Sequence, residues 1–300
     1  SSDRYGRRTQ PGPMNVRLSC GELVRYASHL KIGRLMTTKA LSSVPGSLFL
    51  GVLLLLPGRS AAADGDRRGF QNRTFVDAQG EERKYILFVP YQLKTGSRPP
   101  LLMFLHGSGE RGDNGLDQLM AGIGPALWKR KAKFPFVTVF PQCHTNGKWS
   151  VEGPDAKAAL AILKQTAAEF QTDPDRVYLT GLSMGGSGSW SIAAKHPEMF
   201  AAIVPMCGRG DLAAAKSLAA ARLPVWNFCG DQDRETTVKF SRDMHAALRD
   251  AGGDSRYTEY PGVGHNCWDK AYGDDELYPW LLDKSRSKNK KARSGGSSGR

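Results

Sequence analysis

The chain of 300 residues contains no C-x₂-C pair, no H-E-x-x-H motif and no glycine-rich loop that ends in G-K-[ST]. The first two absences exclude the common zinc-binding spacings, and the third excludes a P-loop for nucleotide phosphates. No apolar run reaches the ~20 residues that a transmembrane helix requires. We therefore expect no metal, no cofactor and no stable membrane insertion of the mature protein.

Acidic residues are scarce only at the two ends of the chain. The formal net charge of +13 at first suggests a nucleic acid or an anionic membrane as partner. Residues 1–63 carry nine Lys or Arg against two acids, and residues 284–300 carry seven and no acid, which leaves residues 64–283 at −1. Because this central part is nearly neutral and has no basic patch interleaved with aromatics, we expect no nucleic-acid partner.

An apolar segment followed by small residues lies in the first part of the chain. A basic stretch at Met36 precedes an apolar run over 44–57, and three alanines ending at Ala63 come after it. This order is typical of a secretory signal peptide. We predict that residues 36–63 form such a peptide, that it is cleaved near Ala63, and that the protein is secreted or periplasmic. Residues 1–35 are expected to be disordered or an untranslated leader.

Cysteine is rare, with five residues in the whole chain, one of them in the leader. An exported protein lies in an oxidising compartment, where four remaining cysteines allow three disulfide pairings. Buried free thiols that pack as small apolar groups are an equal alternative. The sequence does not choose between them. The cysteines beyond the leader are Cys143, Cys207, Cys229 and Cys267.

Apolar runs alternate with helical patterns from residue 70 to residue 283. The run at Leu101–Leu105 is apolar throughout, as expected of a strand that is buried on both faces. This alternation predicts an α/β fold with a mostly parallel central sheet and helices on both faces. Further strands are expected at 136–140, 176–180, 201–206, 224–228 and 256–260, and helices at 121–131, 155–170, 184–195, 236–251 and 268–282.

The remaining segments complete this α/β plan. Residues 73–76 and 84–89 alternate around a turn at 77–80, which predicts an antiparallel N-terminal edge hairpin. The segment between the strands at 201–206 and 224–228 has room for one short helix, so no large lid is expected. We assign 64–283 to one catalytic domain, and we expect 284–300 to be a disordered basic tail.

The pentapeptide GLSMG at 181–185 lies between a β-branched and aromatic run and a helical segment. In a strand–turn–helix context, G-x-S-x-G exposes its serine hydroxyl on a sharp turn. Glycine is needed on either side because a Cβ atom would clash where the chain doubles back. An ordinary glycine-rich turn with a serine N-cap can have the same sequence pattern. The assignment of Ser183 as a nucleophile therefore depends on its partners.

Two later loops offer those partners. GDQD at 230–233 follows a late strand, and a glycine-rich loop after the next strand contains His265. A serine nucleophile needs a base, and the base needs a carboxylate that fixes its tautomer. We choose Asp233 as this carboxylate and Asp231 as a turn-forming residue. The chain order Ser183, Asp233, His265 is the one expected for this architecture.

The loop HGSGERG at 106–112 follows the strand Leu101–Leu105. Acyl transfer requires amide donors that point at the developing oxyanion. We predict that these donors are the backbone amides of Ser108 and of Met184, the residue after the nucleophile. His106 is expected to shape this loop rather than to act as a base.

These motifs together resemble the α/β-hydrolase superfamily, and within it the secreted carboxylesterases and predicted peptidases related to dienelactone hydrolases and to the phospholipase/carboxylesterase group. The resemblance implies ester hydrolysis through an acyl-enzyme, with Ser183 as nucleophile, His265 as base and Asp233 as its orienting group. One departure is Cys229, where many members carry a histidine before the glycine. The resemblance rests on HGSGERGDN at 106–114, PQC at 141–143, DPDRVYLTGLSMGGSGSW at 173–190, GDQD at 230–233 and GVGHNCWD at 262–269.

We therefore predict a serine carboxylesterase that acts on short acyl, aryl or polysaccharide-linked esters. Trp149 and Trp268 lie near active-site loops in the sequence and are candidates for the substrate pocket. One alternative is a serine peptidase of the prolyl-oligopeptidase type, which has the same chain order but also a large substrate-sizing domain that we do not expect in this chain. Another is a non-catalytic binding module on a hydrolase scaffold, against which the intact triad argues.

Overall fold

The computed structural model of the chain describes residues 68–295. The predicted leader and signal peptide lie outside these residues. The described part contains eight strands that form one sheet. They are β1 (Gly69–Val76), β2 (Glu82–Val89), β3 (Leu101–Leu105), β4 (Val137–Pro141), β5 (Val177–Leu182), β6 (Ala202–Met206), β7 (Val225–Gly230) and β8 (Ser255–Tyr260).

The strand order is β1-β2-β4-β3-β5-β6-β7-β8, and all pairs from β4 to β8 are parallel. Strands β1 and β2 form the predicted hairpin, and β2 pairs antiparallel with β4. In the hairpin turn Gly80 has a φ of 84°, and Asp77 accepts the amide hydrogens of Gln79 and Glu81. The predicted α/β-hydrolase arrangement is confirmed.

Helices cover both faces of this sheet. The α-helices are α1 (Ile123–Arg130), α2 (Pro154–Glu169), α3 (Met184–Lys195), α4 (Leu212–Ala220), α5 (Val238–Asp250), α6 (Trp268–Gly273), α7 (Leu277–Asp283) and α8 (Arg286–Gly295). One apolar core lies beneath α2, α3, α4 and α5, and a second lies beneath α1, α6 and α7. Between β6 and β7 the described chain has a single helix, α4.

Strand β3 shows why its sequence is apolar at every position. Leu101, Met103 and Leu105 enter the first core, and the two residues between them enter the second. All five residues are buried. Because side chains alternate across a strand, a central strand with helices on both faces has no position that faces water. Its carboxyl end therefore leads directly into the loop that begins at His106.

The C-terminal part differs from the sequence prediction in two ways. The helix expected over 268–282 is two helices, α6 and α7, because Asp274 adopts an extended conformation and its carboxylate accepts the amide hydrogen of Glu276. Within the basic tail expected to be disordered from 284, residues Arg286–Gly295 instead form α8. The Arg286 amide donates to the Asp175 carbonyl, and the Asn289 side chain donates to the Ala201 carbonyl. These tertiary contacts, which composition does not reveal, order the start of the tail.

Among residues 68–295, no helix has the length and the apolar character that a membrane span requires.

Candidate active site

Ser183 lies on a strained turn between β5 and α3. Its backbone has φ 53° and ψ −115°, a left-handed conformation that costs a residue with a Cβ atom about 1–3 kcal/mol. The neighbouring glycines permit the turn: a Cβ at Gly185 would lie 1.9 Å from the carbonyl oxygen of Leu105, and one at Gly181 would lie 2.4 Å from the carbonyl oxygen of Gly185. The Ser183 amide donates to the carbonyl of Met206 over 2.9 Å, which ties the turn to β6.

Three side chains from separate loops meet at this turn. His265 Nε2 lies 2.9 Å from Ser183 Oγ, and His265 Nδ1 lies 2.9 Å from Asp233 Oδ2. Because a carboxylate only accepts hydrogen bonds, Nδ1 carries the proton and donates it to Asp233. Nε2 is then the acceptor for the Ser183 hydroxyl. The arrangement can move a proton from the hydroxyl to the imidazole.

The aspartate of this group is fixed by its other oxygen. Asp233 Oδ1 accepts the amide hydrogens of Glu235 and Thr236, each over 2.9 Å, and the carboxylate is fully buried. Asp231 has a different position: its Oδ1 accepts the amide hydrogen of Gly262 over 2.8 Å at the surface. The structure therefore brings Asp233 to the imidazole and leaves Asp231 as a link between the loops after β7 and β8.

The loop after β8 needs a close approach to the loop after β7. A Cβ at Gly230 would lie 2.2 Å from the carbonyl oxygen of Val263, and the Gln232 amide donates to that carbonyl over 2.9 Å. Gly262 turns the chain with a φ of 70°. These contacts place the imidazole of His265 beside the carboxylate.

His106 braces the loop after β3. Its Nδ1 lies 2.7 Å from the Gly107 carbonyl, and its Nε2 accepts the amide hydrogen of Cys143 over 2.9 Å. The ring is neutral with its proton on Nδ1, since a carbonyl cannot donate and an amide cannot accept. Burial lowers the pKa of His106 to about 4. As predicted from the sequence, this histidine has a structural role.

The same loop passes against the serine turn. A Cβ at Gly107 would lie 3.6 Å from Ser183 Cβ and 2.7 Å from a methyl group of Leu182. The Ser108 carbonyl accepts from the Arg111 guanidinium over 2.9 Å. Among the backbone hydrogen bonds of the described residues, neither the Ser108 amide nor the Met184 amide has an acceptor. Both predicted oxyanion donors thus lie on segments that meet at Ser183.

Comparison with known proteins agrees with this geometry. A family model described as the dienelactone hydrolase family matches residues 123–292, more than half of the chain. The chain belongs to the dienelactone hydrolase family.

Members of related esterase groups are also similar to this dienelactone hydrolase family protein. A bifunctional acetylxylan esterase/xylanase of Neocallimastix patriciarum is 30% identical over 158 residues, which cover 52% of this chain and 22% of the relative. Feruloyl esterase B of Neurospora crassa is 27% identical over 125 residues, covering 38% and 40%. The crystal structure of a thermostable esterase superposes with a TM-score of 0.67 at 32% identity, covering 72% of this chain and 63% of that one. The chain spans less than half the length of these two curated relatives.

The two tryptophans predicted to line a pocket differ in burial and in contacts in this dienelactone hydrolase family protein. Trp149 is only 3% exposed, donates its indole N–H to the His106 carbonyl over 2.9 Å, and packs against Gly188. Its ring supports the loop from behind, and a role of Trp149 in the substrate pocket stays a prediction. Trp268 is half-buried, with its ring centroid 5.4 Å from that of His265 and nearly perpendicular to it. It remains a candidate for the pocket.

All four cysteines beyond the leader are buried free thiols, so the disulfide alternative is wrong. Cys207 lies directly beneath the triad, and one potential ligand atom each from Cys207, Asp233 and His265 falls within 4.8 Å of the others. Burial raises the pKa of the Cys207 thiol well above its usual range. A protonated thiol is a poor metal ligand, and the other two groups already bond to each other. The cluster fits packing around the triad better than a metal site.

Sequence analysis did not single out Glu235. Its Oε2 lies 3.5 Å from His265 Nε2, and its side chain is 75% exposed. The sequence signal is weak: a charged residue two positions after Asp233, in a loop with several other charges. Only the fold brings this carboxylate to the imidazole.

Proposed function

We propose that the protein is a serine carboxylesterase that works through an acyl-enzyme, with Ser183 as nucleophile, His265 as base and Asp233 as its orienting group. The observation that carries this proposal is the continuous hydrogen-bonded chain from Ser183 Oγ through both imidazole nitrogens to Asp233, with both distances 2.9 Å. Its three members come from separate loops at one edge of the sheet. Membership of an esterase-containing family supports the same chemistry.

In the acylation step Ser183 Oγ attacks the ester carbonyl carbon while His265 Nε2 takes the hydroxyl proton. The imidazolium that forms is stabilised by the buried carboxylate of Asp233, which holds Nδ1–H in place. Because the two amide hydrogens on Asp233 Oδ1 fix its orientation, little reorganisation is needed when charge develops.

The tetrahedral intermediate carries a negative charge on the former carbonyl oxygen. The amides of Ser108 and Met184 are the donors we assign to it, and removal of one such donor typically lowers kcat by about 10²–10³-fold. The imidazolium then gives its proton to the leaving alcohol, and the acyl group stays on Ser183. Water repeats the sequence, with His265 as base, and releases the acid.

The wider organisation follows the same proposal. We assign residues 64–283 to the catalytic domain and residues 36–63 to a signal peptide cleaved near Ala63, which would deliver the enzyme outside the cytoplasm. The acetylxylan and feruloyl esterases among its relatives favour short acyl or aryl esters linked to polysaccharide as substrates. A single helix between β6 and β7 favours an open cleft over a lidded one.

A direct test replaces Ser183 with alanine and measures hydrolysis of 4-nitrophenyl acetate together with labelling by a fluorophosphonate. We expect kcat to fall about 10⁴-fold or more, because triad residues act as a unit, and labelling to disappear. Ser191→Ala, at an exposed position of the same helix, is the matched control and should keep both. Substantial turnover by Ser183→Ala would reject the nucleophile. Turnover of aminoacyl-4-nitroanilides without turnover of the ester would favour a peptidase instead.

A further inference from the structure

A second carboxylate, largely exposed to solvent, lies beside the proposed base. Glu235 Oε2 is 3.5 Å from His265 Nε2, the nitrogen that also lies 2.9 Å from Ser183 Oγ. In the resting enzyme Nε2 has no proton, so it cannot donate to Glu235. Within residues 68–295 the Glu235 carboxylate forms no other salt bridge or side-chain hydrogen bond. Its oxygens are therefore available to a ligand at this nitrogen.

The backbone at Glu235 is held from two directions. Its amide donates to Asp233 Oδ1 over 2.9 Å, and its carbonyl accepts from the Arg209 guanidinium over 3.4 Å. Arg209 is fixed in turn, because its amide donates to Ser187 Oγ over 2.8 Å and its guanidinium lies 4.7 Å above the Phe240 ring. The carboxylate thus projects from a braced position that is coupled to the triad itself.

The chemistry at Nε2 defines what occupies the space next to Glu235. The imidazolium protonates the leaving oxygen, so that oxygen must come within hydrogen-bond reach of Nε2. Groups attached to the leaving alcohol then lie next to the Glu235 carboxylate. Because an ionised carboxylate only accepts hydrogen bonds, it selects an alcohol that carries further donors close to the esterified oxygen.

We infer that Glu235 binds the leaving alcohol through hydroxyl groups adjacent to the ester and so favours a polyhydroxy alcohol over one without such groups. This inference rests on the proposed function. A cationic alcohol is the competing ligand for a carboxylate, but the Arg209 guanidinium beside the Glu235 carbonyl disfavours a second positive charge there. A negatively charged alcohol would be repelled. A neutral polyol fits both conditions.

The test compares three esters of the same acid: acetylated xylobiose, 4-nitrophenyl acetate and acetylcholine. In Glu235→Gln we expect kcat/KM for the acetylated sugar to fall about tenfold more than kcat/KM for the nitrophenyl ester, mainly through a higher KM. That factor corresponds to the loss of one hydrogen bond to a charged, solvent-accessible group. Glu235→Ala should increase the difference, since it removes the acceptor altogether.

Glu198→Gln is the matched control. Its carboxylate is 66% exposed and lies 3.9 Å from an imidazole nitrogen of His196, so it forms a similar carboxylate–imidazole pair that includes no triad residue. We expect this variant to change the ratio between the two esters by less than twofold. The result supports the inference only if the change in ratio is specific to Glu235.

Two results would overturn the inference while leaving the proposed function intact. Equal losses on the sugar and nitrophenyl esters would mean that Glu235 acts on the imidazole alone. A larger loss on acetylcholine than on the sugar ester would mean that the carboxylate binds a cation. By contrast, activity that survives Ser183→Ala would reject the esterase mechanism itself. The two failures are therefore distinguishable.

Discussion

His106 and His265 both follow strands of the parallel sheet, and both lie in glycine-containing loops. Both residues also lie next to the serine turn. They differ in exposure and in partners. His106 is fully buried, and its two nitrogens bond to the Gly107 carbonyl and the Cys143 amide. The side chain of His265 is 13% exposed, and its nitrogens bond to Asp233 and Ser183.

The difference shows that the partners of an imidazole determine its chemistry more than its place in the fold. Backbone groups cannot change their protonation, so they lock His106 in one neutral tautomer, and burial lowers its pKa to about 4. His265 instead has a carboxylate on one side and a hydroxyl on the other, the partners that the proposed proton transfer requires. The His106 ring can therefore brace a loop, while the His265 ring is suited to the proposed proton transfer.

The largest expected difference between the two histidines is in activity, and it is tested by replacing the proposed base. His265→Gln keeps a hydrogen-bonding side chain but removes the basic nitrogen, so kcat on 4-nitrophenyl acetate should fall about 10⁴-fold or more. Cooperative unfolding in urea should be retained, because the site lies at the sheet edge. A variant that keeps more than a tenth of wild-type activity would show that His265 is not the base.

The second prediction concerns His106→Asn, which should act chiefly on stability. Asparagine is too short to replace Nε2, so the buried amide of Cys143 loses its acceptor. We expect the free energy of unfolding to fall by about 1–3 kcal/mol and kcat by about tenfold, as the loop that carries Ser108 shifts. Urea unfolding and initial rates measure the two effects.

His196→Asn provides the control for this variant, since that ring is 32% exposed at the end of α3. Its unfolding free energy should change by less than about 0.5 kcal/mol. If both variants lost the same amount of stability, the bracing role of His106 would be refuted.

The smallest expected effect is on the pH dependence of the free energy of unfolding. The pKa of His106 is lowered to about 4 in the folded protein, against about 6.5 in the unfolded chain. Between these values the unfolded state binds more protons, so the stability that this group contributes is complete above about pH 6.5 and is lost as pH falls towards 4. The linkage amounts to roughly 2–3 kcal/mol at pH 4.5.

The measurement compares urea midpoints at pH 7 and pH 4.5 for the wild type and His106→Asn. We expect a smaller acid-induced loss in the variant, which lacks the titrating ring. Identical pH dependence in the two proteins would show that His106 is already protonated in the folded state or that other groups dominate.

Much of the fold was predictable from the sequence because its signals are local. Strand β3 is apolar at every position, and the hairpin turn carries its own glycine and aspartate. The serine turn was predictable for the same reason, since Gly181 and Gly185 are the residues that its backbone geometry requires. The helix at Arg286–Gly295 was not, because it depends on contacts with distant residues such as Ala201. The break between α6 and α7 has a local cause, the Asp274 cap, which the helical pattern over 268–282 did not reveal.

The candidate site was predictable only in part. The order of Ser183, Asp233 and His265 is a sequence property, but the choice of Asp233 over Asp231 depends on which carboxylate faces the imidazole. Trp149 was expected at the substrate, yet its burial against Gly188 could be seen only in three dimensions.

By itself, then, the sequence determined which residue types stand at the ends of the strands and where glycine lets the chain turn sharply, because backbone conformation is set by near neighbours. The tertiary structure decided which of those groups touch. Ser183 and His265 are 82 positions apart, and His265 and Asp233 are 32 apart. The contact of Glu235 with the imidazole arises in the same way, since hydrogen bonds between distant loops depend on how the whole sheet packs.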